Sequence, residues 1–408
     1  MDFPLFCNAD YADVAKIFTI GIIEIERIGI MTMWIIIMWT VIASVIAALF
    51  YLGARVPHLL TFENIAEWGK FKQFSLGLLI SLGFMGLITI CLDFVNAVVC
   101  VIYVTMIWAV SDFAFWATAK LAHISFEHYY AGWTALLITV TVLTFGWYLD
   151  HHVWQTDYEL TTNKEIPDLK VAMFADSHIG TTFKADGFAK HLETIQNQNP
   201  DIVVVAGDYV DDGTTREDMI NASKALGRMK TKYGIYFVFG NHDKGYYGAA
   251  RRGFSADELI AELTKNGVKV LRDESVLLND AFYIIGRRDF SEVKERGGNR
   301  QSIKELVKKL DKSKYMIVLD HQPVEFDLDA DAGVDLVLCG HTHGGQLFPF
   351  NQVGKWIKAN DLVYGHEKRQ NMDFIVTSGI SDWAIKFKTG TKSEFVTIDV
   401  KHIRKETK

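Results

Sequence analysis

Hydrophobic residues are arranged differently in the two parts of this chain. Residues 1–153 contain long apolar stretches with almost no charge, whereas residues 169–408 contain short apolar runs separated by amphipathic segments. About 20 consecutive apolar residues are enough to cross a hydrocarbon layer about 30 Å thick, so the long stretches predict transmembrane helices. The short, β-branched runs flanked by glycine predict buried strands that alternate with helices.

The N-terminal region is predicted to be all-α, with about four spans. These lie near residues 28–52, 74–92, 95–112 and 131–149. Buried core helices are the alternative, but uncharged segments this long and this closely spaced are rare in soluble domains. The segment Ile17–Ile30 is interrupted by Glu24, Glu26 and Arg27, and we expect an interfacial helix there rather than a fifth span.

Basic residues near the predicted spans indicate an orientation. Four of them lie between spans one and two or between spans three and four: Arg55, Lys70, Lys72 and Lys120. Only Lys16 and Arg27 precede the first span. The positive-inside rule then places the N-terminus and the C-terminal region outside the cytoplasm. The N-terminus lacks a basic n-region and a small-residue cleavage site, so no signal peptide is expected to be removed. We expect an integral protein of a bacterial cell membrane with an extracytoplasmic C-terminal domain.

Residues 169–408 are predicted to form one α/β domain. Strands are expected near 169–175, 201–206, 234–240, 268–272, 281–286, 315–319, 334–339, 373–377 and 394–400. Helices are expected near 186–198, 216–229, 255–266 and 301–311. This alternation predicts stacked sheets covered by helices. The polar residues 154–168 are interpreted as a linker or as a first edge strand.

Composition excludes several classes of protein. Only one of the four cysteines, Cys339, lies in the C-terminal domain, so neither a disulfide framework nor a zinc knuckle can form there. The formal net charge of −7 gives no basic surface for nucleic acid.

Five polar motifs follow five of the predicted strands. They are Asp176-Ser177-His178, Gly207-Asp208, Gly240-Asn241-His242-Asp243, His321 within His-Gln-Pro, and Gly340-His341-Thr342-His343. In layered α/β folds, ligands bind outside the carboxyl ends of strands. A single Asp or His at a strand end is usually a turn or cap residue. Five motifs in phase with five strand ends instead predict one shared site.

The residue types at this site point to metal chemistry. Carboxylates and imidazoles suit Mn²⁺, Fe or Zn²⁺. A carboxylate has two oxygens, so one aspartate can bridge two ions, and Asp208 is the central candidate. Two such ions clamp a phosphoryl group and lower the pKa of a bridging water towards neutrality, which yields a hydroxide that attacks phosphorus. The motifs therefore predict a two-metal phosphoesterase.

The order D-x-H, G-D, G-N-H-D, H, G-H-T-H resembles the calcineurin-like metallophosphoesterase superfamily. The forms Asp320-His321-Gln322-Pro323 and Gly340-His-Thr-His-Gly-Gly-Gln346 resemble its bacterial branch of membrane-associated or exported members. The resemblance covers Leu169 to the C-terminus, including Thr377–Ile380. It implies a four-layer α/β/β/α sandwich with a dimetal site at the strand ends.

The resemblance also implies roles for individual residues. The first metal would be held by Asp176, His178, Asp208 and His343, and the second by Asp208, Asn241, His321 and His341. His242 would be the catalytic histidine, which stabilises the transition state or protonates the leaving oxygen. Asp243 would orient the imidazole of His242.

Other polar residues near the motifs have two interpretations each. Asp211 and Asp212 either support the metal ligands or form a solvated turn with Gly213. Asp289 either lines the same crevice or belongs to a plain turn. Tyr246 and Tyr247 either border the substrate or have a structural role in their loop.

The sequence favours a membrane-anchored, dinuclear metal-dependent phosphoesterase that cleaves a phosphoester or diphosphate bond. The short distance from the fourth span to the first metal ligand favours a lipid-linked or membrane-proximal substrate. The alternative is a multispan receptor, sensor or transporter whose soluble domain only binds a phosphorylated ligand. His242 argues against that alternative, because a sensor has no need of a general acid.

Overall fold

The structure is a computed structural model that describes residues 35–60, 65 and 67–403. The predicted interfacial helix Ile17–Ile30, and with it Lys16 and Arg27, lies outside the described residues. The chain divides into two compact units. One comprises residues up to Ala135 together with Ser291–Gly298, and the other comprises Leu136–Phe290 and the residues from Asn299 onward.

Four apolar helices occupy the N-terminal region, as predicted. They are α1 (Ile35–Leu59, ending in a 3₁₀ turn), α2 (Lys70–Cys91), α3 (Phe94–Ala122) and α4 (Tyr130–His151). Each is long and apolar enough to cross a membrane. Asp93 caps α3 by accepting a hydrogen bond from the backbone N–H of Asn96 at 2.8 Å.

The third helix continues well past Asp112, where the predicted span ended. The carboxylate of Asp112 is paired with Arg55 at 2.9 Å and accepts hydrogen bonds from the hydroxyls of Tyr51 and Tyr129, each at 2.6 Å. A charged group is tolerated in an apolar helix when protein partners satisfy it. Arg55 therefore lies in α1 as the partner of Asp112, rather than in a loop between spans.

The α/β region contains two six-stranded sheets. The strands are β1 (Trp154–Thr162), β2 (Leu169–Phe174), β3 (Ile202–Ala206), β4 (Ile235–Val238), β5 (Val268–Val270), β6 (Glu274–Leu278), β7 (Phe282–Gly286), β8 (Tyr315–Leu319), β9 (Leu336–Cys339), β10 (Gly365–Arg369), β11 (Met372–Val376) and β12 (Glu394–His402). The first sheet has the order β1-β12-β2-β3-β4-β5 and the second β10-β11-β9-β8-β7-β6. In both, the central strands are parallel, so their carboxyl ends share one edge.

Eight shorter α-helices follow α4 in the described residues, and five of them pack on the outer faces of the sheets. They are α5 (Ala185–Gln196), α6 (Arg216–Leu226), α7 (Ala249–Arg252), α8 (Ala256–Lys265), α9 (Ser291–Lys294), α10 (Ile303–Val307), α11 (Phe326–Ala332) and α12 (Val353–Trp356). One buried core, with Met173 and Val204 from the first sheet and Ile317 and Leu338 from the second, fills the space between the sheets. Separate cores join α5, α6 and α8 to the first sheet and α10 and α11 to the second. The predicted four-layer α/β/β/α arrangement is confirmed.

All nine predicted strands are present, and three more lie at sheet edges. Of the two interpretations of residues 154–168, the structure has an edge strand, because Trp154–Thr162 pairs in parallel with Glu394–His402 along its whole length. Strands β6 and β10 were not predicted, since their alternating half-exposed residues carry little of the apolar signal of a buried strand. The helix expected at 301–311 is limited to Ile303–Val307.

The end of α4 is packed against the loop before β12, within the second unit. The backbone N–H of Lys388 donates to the carbonyl of Gly146 at 3.0 Å, and that of Ser393 donates to Leu149 at 2.9 Å. A side chain at Gly146 would collide with Thr389. The last turns of the fourth apolar helix are therefore part of the α/β unit.

Candidate metal and active site

The five sequence motifs meet at one edge, where the strands of both sheets end. Asp176 follows β2, Asp208 follows β3 and Asn241 follows β4 in the first sheet. His321 follows β8 and His341 follows β9 in the second. All seven predicted metal ligands are brought together there, and all but half-buried His341 are buried.

Two groups of side chains could each hold one metal ion. Asp176, His178 and His343 form the first group, and Asp208, His321 and His341 form the second; in each, the ligand atoms lie within 4.8 Å of one another. Asn241 belongs with the second group, because its Oδ1 lies 2.9 Å from Nδ1 of His341 and 3.1 Å from Nε2 of His321.

Asp208 lies between the two groups. Its Oδ2 is 3.1 Å from Nε2 of His321, in the second group, and 3.8 Å from Nε2 of His178, in the first. One carboxylate within reach of an imidazole from each group is the arrangement that a bridging ligand requires.

The backbone at the strand ends is strained where it presents these side chains. Five of the predicted ligands have positive φ angles: Asp176 (55°), His178 (36°), Asp208 (51°), His341 (73°) and His343 (48°). Left-handed backbone at residues other than glycine costs free energy and clusters at functional sites. Five of the seven predicted metal ligands therefore have strained backbone, which is also found at residues outside the motifs.

Glycines in the motifs permit the close approach of the strand ends. A Cβ atom at Gly240 would collide with the carboxylate and backbone of Asp208. At Gly340 it would lie 2.6 Å from Oδ2 of Asp176. Any side chain at either position would displace a metal-ligand candidate.

The imidazole of His178 fits a metal ion better than it fits its protein neighbours. The ring is completely buried, and neither nitrogen has a hydrogen-bond partner within the described residues. The nearest carboxylate oxygens, from Asp211 and Asp208, are 3.5 and 3.8 Å away. Buried polar atoms are almost always paired, and leaving one unpaired costs about 1–3 kcal/mol. A cation between these groups would satisfy the ring.

Burial and neighbouring charges shift the pKa values of several predicted metal ligands. Burial lowers the pKa of His341 and of His343 to about 3, which leaves both rings neutral with free lone pairs. Burial also acts to raise the pKa of Asp208, but His321 and His242 outweigh it and hold that pKa well below its usual value. Metal ligands must be deprotonated, so His341, His343 and Asp208 are already in the binding form. Burial acts to lower the pKa of His178 and of His321, but the neighbouring carboxylates outweigh it and raise both, so a metal ion would have to displace a proton from these two rings.

His242 is half-buried and lies beside the two groups. Its ring centroid is 5.0 Å from that of His178, 5.1 Å from Tyr246 and 5.8 Å from Trp383, while its backbone N–H donates to Asp208 at 2.8 Å. Burial lowers the pKa of His242. A neutral imidazole with one N–H donor therefore sits at the open side of the site.

Asp243 makes contacts that differ from the predicted ones. Its two carboxylate oxygens accept four backbone N–H groups, from Asp208, Tyr209, Val210 and Gly240, at 2.7–3.0 Å. These bonds fasten the loop after β3 to the loop after β4. The expectation that Asp243 orients the imidazole of His242 is corrected, because Asp243 acts on the backbone that carries Asp208.

The structure decides between the two interpretations of several polar residues. Asp211 is close to Nδ1 of His178 and also accepts the N–H of Gly213 at 2.7 Å, so it is both a neighbour of a ligand and a turn residue. Asp212 accepts the N–H groups of Tyr246 and Tyr247. The hydroxyl of Tyr246 accepts from the amide of Asn241 at 3.0 Å, which places Tyr246 at the site.

Asp289 is buried. Both of its carboxylate oxygens accept from Nε2 of Gln322, the residue after His321, at 3.0 and 3.1 Å. It therefore lies behind the second group of ligands rather than in an exposed turn.

The sequence motifs missed Asp382. Its Oδ1 lies 3.1 Å from Nδ1 of His343, the ring nitrogen that faces away from Asp176. Buried Lys388 fixes the loop that carries Asp382, since its Nζ donates to the carbonyls of Ser378 and Ser381 at 2.8 and 3.2 Å. Asp382 belongs to none of the five motifs and is separated from the end of β11 by Thr377–Ser381, so the rule used for the other ligands did not find it.

Comparison with known families agrees with this geometry. Residues 169–345, which include both groups of ligands, match the family described as calcineurin-like phosphoesterase. This part of the chain is a calcineurin-like metallophosphoesterase domain. The predicted family is confirmed.

Relatives of the domain include proteins with a membrane region. An uncharacterized metallophosphoesterase of Campylobacter jejuni is 30% identical over 61% of this chain and 63% of its own length. A transmembrane protein with metallophosphoesterase domain from Danio rerio is 28% identical over 60% of this chain and 56% of its own. The aligned region thus spans less than two thirds of these relatives. A solved dimetal phosphatase from Danio rerio is similar with a TM-score of 0.35, at 12% identity over 57% of this chain and 92% of that chain.

Proposed function

We propose that the protein is a membrane-anchored phosphoesterase that uses two divalent metal ions, Mn, Fe or Zn, to hydrolyse a phosphoester or diphosphate bond. The observation that carries the proposal is the pair of buried ligand groups with Asp208 between them. Family membership supports phosphoester hydrolysis, and the four apolar helices support membrane association.

The proposed roles follow the geometry. Asp176, His178 and His343 hold the first ion, Asn241, His321 and His341 hold the second, and Asp208 contacts both. Two bound ions would supply positive charge for the phosphoryl group and lower the pKa of a water molecule. His242 donates a hydrogen bond to the phosphoryl group or a proton to the leaving oxygen. A neutral imidazole, which its lowered pKa favours, suits the first of these roles.

The same proposal includes a lipid-linked or membrane-proximal substrate. The last turns of α4 pack on the loop before β12, in the unit that contains the metal ligands. A catalytic site joined this closely to a membrane helix is close to lipid headgroups. One inserted helix would suffice for anchoring, and four are more than a tether needs.

Hydrolysis by the purified full-length protein tests the proposal. A truncated protein that begins at Lys164 is unsuitable for this assay, because it lacks β1 and the end of α4. We expect a chromogenic phosphodiester to be cleaved after addition of Mn²⁺ and activity to disappear with a chelator. Absence of hydrolysis of phosphomonoesters, phosphodiesters and diphosphates with Mn²⁺, Fe²⁺ and Zn²⁺ would instead favour a phosphoryl-ligand sensor.

The substrate proposal is tested on full-length protein in vesicles that contain a phospholipid or a lipid-linked diphosphate. We expect a higher kcat/KM for the lipid substrate than for its water-soluble headgroup analogue. Equal values for the two would show that the helices serve only as a tether.

We also propose that the catalytic domain is extracytoplasmic. Single cysteines in place of exposed Lys120 and Asn163 should react with an impermeant thiol reagent from opposite sides, in a background without Cys7 and Cys91. Thr162 is buried in β1 and is unsuitable for this purpose. Labelling of both cysteines from the same side would contradict the orientation.

A further inference from the structure

A concentrated apolar surface lies directly after the metal-ligand motif of β9. We call Phe348, Phe350, Val353, Trp356 and Ile357 the 348–357 surface. The side chains of Trp356, Phe348, Ile357 and Phe350 are 71%, 62%, 57% and 50% exposed. In the described part of the α/β domain, other exposed large apolar residues are single or paired. A concentrated exposed patch of this kind is typical of an interaction site.

The 348–357 surface is held firmly against the metal site. His343 begins the 3₁₀ turn His343–Gly345, and Gly345 packs so closely against the backbone of Asn351 that no side chain could be accommodated. Gly345 also has a φ of 69°, which favours glycine. The apolar surface and the ligand His343 therefore belong to one compact loop.

One short loop joins this surface to the end of the fourth apolar helix. The hydroxyl of Thr389 accepts the backbone N–H of Phe348 at 3.0 Å, and Gly390 lies against Asn351. The neighbouring Lys388 is bonded through its backbone to Gly146 of α4. Residues 388–390 thus contact both the 348–357 surface and the end of α4, which carries exposed Trp147 and Tyr148.

The residues around the surface suit a lipid headgroup region. Trp and Tyr are enriched where a membrane helix meets water, and Trp147 and Tyr148 lie in the last turns of α4. Lys358 is exposed on the same segment as Trp356 and Ile357, as is Lys355, whose Nζ lies 3.4 Å from Glu367. Aromatic and aliphatic side chains together with lysines are typical of elements that lie in the membrane interface.

We propose that the 348–357 surface docks on the bilayer that holds α4 and thereby keeps the mouth of the metal site at the lipid surface. The inference rests on the membrane anchoring in the proposed function, but it is independent of the reaction catalysed. A protein partner, including a second copy of this chain, is the competing occupant.

Fluorescence of the full-length protein in vesicles tests the docking. The vesicles contain phosphatidylcholine with a minority of phosphatidylglycerol. An environment-sensitive fluorophore is attached to Trp356→Cys or, separately, to Ile357→Cys, in a background without Cys7 and Cys91. Leu277→Cys is the matched control, because Leu277 is an exposed apolar residue on β6, at the opposite edge of the second sheet from β10.

We expect the labels at 356 and 357 to emit at shorter wavelength than the label at 277 and to be quenched by nitroxides on lipid acyl chains. Iodide in solution should quench the label at 277 but not those at 356 and 357. Two results would overturn the proposal. Equal iodide quenching at all three positions would mean that the surface is exposed to water. Protection from both quenchers would mean that protein covers it.

The labelled proteins must be folded for these outcomes to count. Metal content and thermal unfolding of each labelled variant are therefore compared with those of the unlabelled background. Because the readout is fluorescence and not hydrolysis, a negative result would leave the proposed reaction intact, and an inactive enzyme could still show docking.

Discussion

A polar side chain in the helical region and one at the metal site differ in how far protein partners satisfy them. Asp112 in α3 is fully matched by protein partners, with Arg55, Tyr51 and Tyr129 around its carboxylate. His178 in the catalytic domain is buried without any hydrogen-bond partner in the described residues. The partners of Asp112 give it a role in holding α1 and α3 together. The partner missing from His178, which lies among the other ligand candidates, is one that a metal ion would supply.

The largest expected effect comes from breaking the bridge between the two ligand groups. Asp208→Asn removes the charge shared by both predicted metals. We expect a loss of activity larger than the roughly 10²–10⁴-fold that a general acid or base supplies, since both ions depend on this carboxylate. The measurement is kcat/KM with saturating Mn²⁺. Asp257→Asn, at an exposed position on α8, should behave like the wild type. Full activity of Asp208→Asn would remove the basis for a bridging role.

The next prediction separates the role of His242, the proposed catalytic group, from that of the metal ligands. His242→Ala should lower kcat about 10²–10⁴-fold while both metals stay bound, because the imidazole contacts substrate rather than the ions. Elemental analysis and kinetics on the same sample distinguish the two effects. His366→Ala, which removes an exposed histidine from β10, is the control. Loss of metal together with activity in His242→Ala would make His242 a ligand or a structural residue.

A smaller effect is expected from the group behind a ligand. Asp382→Asn removes the carboxylate charge 3.1 Å from Nδ1 of His343, a nitrogen that also contacts the carbonyl of Ser381. Loss of such a carboxylate typically lowers metal affinity about 10–100-fold. Titration of the metal-free protein with Mn²⁺ measures the change. At saturating metal, much of the activity should return. An unchanged affinity would show that Asp382 does not position His343.

The smallest effect on the catalytic site is expected from the helical region. Asp112→Asn should reduce the free energy of unfolding by about 1–3 kcal/mol, because Arg55 and two tyrosines lose a charged partner. Metal affinity should stay unchanged. Thermal unfolding in detergent, with Glu127→Gln as the exposed control, provides the measurement. A change in metal affinity would mean that the two regions are not as different as their polar groups suggest.

Repeated local patterns in the sequence predicted most of the catalytic domain. The nine strands with strong apolar runs were found, and so were the ligands that come directly after them, because a strand end fixes the direction of the next side chains. The edge strands β6 and β10 were missed, since edge residues need not be apolar. The length of α3 was also missed, because a charge such as Asp112 is acceptable only once its partner on another helix is known.

Contacts between residues far apart in the chain could not be predicted from the sequence. The family resemblance implied that Asp243 orients the imidazole of its neighbour His242. In the folded chain its carboxylate instead accepts hydrogen bonds from backbone N–H groups of the loop after β3, 33–35 residues earlier in the sequence. Asp382 became a neighbour of His343 only through the fold. Motif spacing therefore identified the ligands but not the groups that support them.

Metal stoichiometry tests the central claim most directly, because the account requires two separate ligand groups. Elemental analysis of the full-length protein after equilibration with Mn²⁺ should find two ions per chain. His178→Ala and His341→Ala each damage one group and should each retain a single ion. One ion or none in the wild type, or the loss of both ions in either variant, would contradict two separate ligand groups.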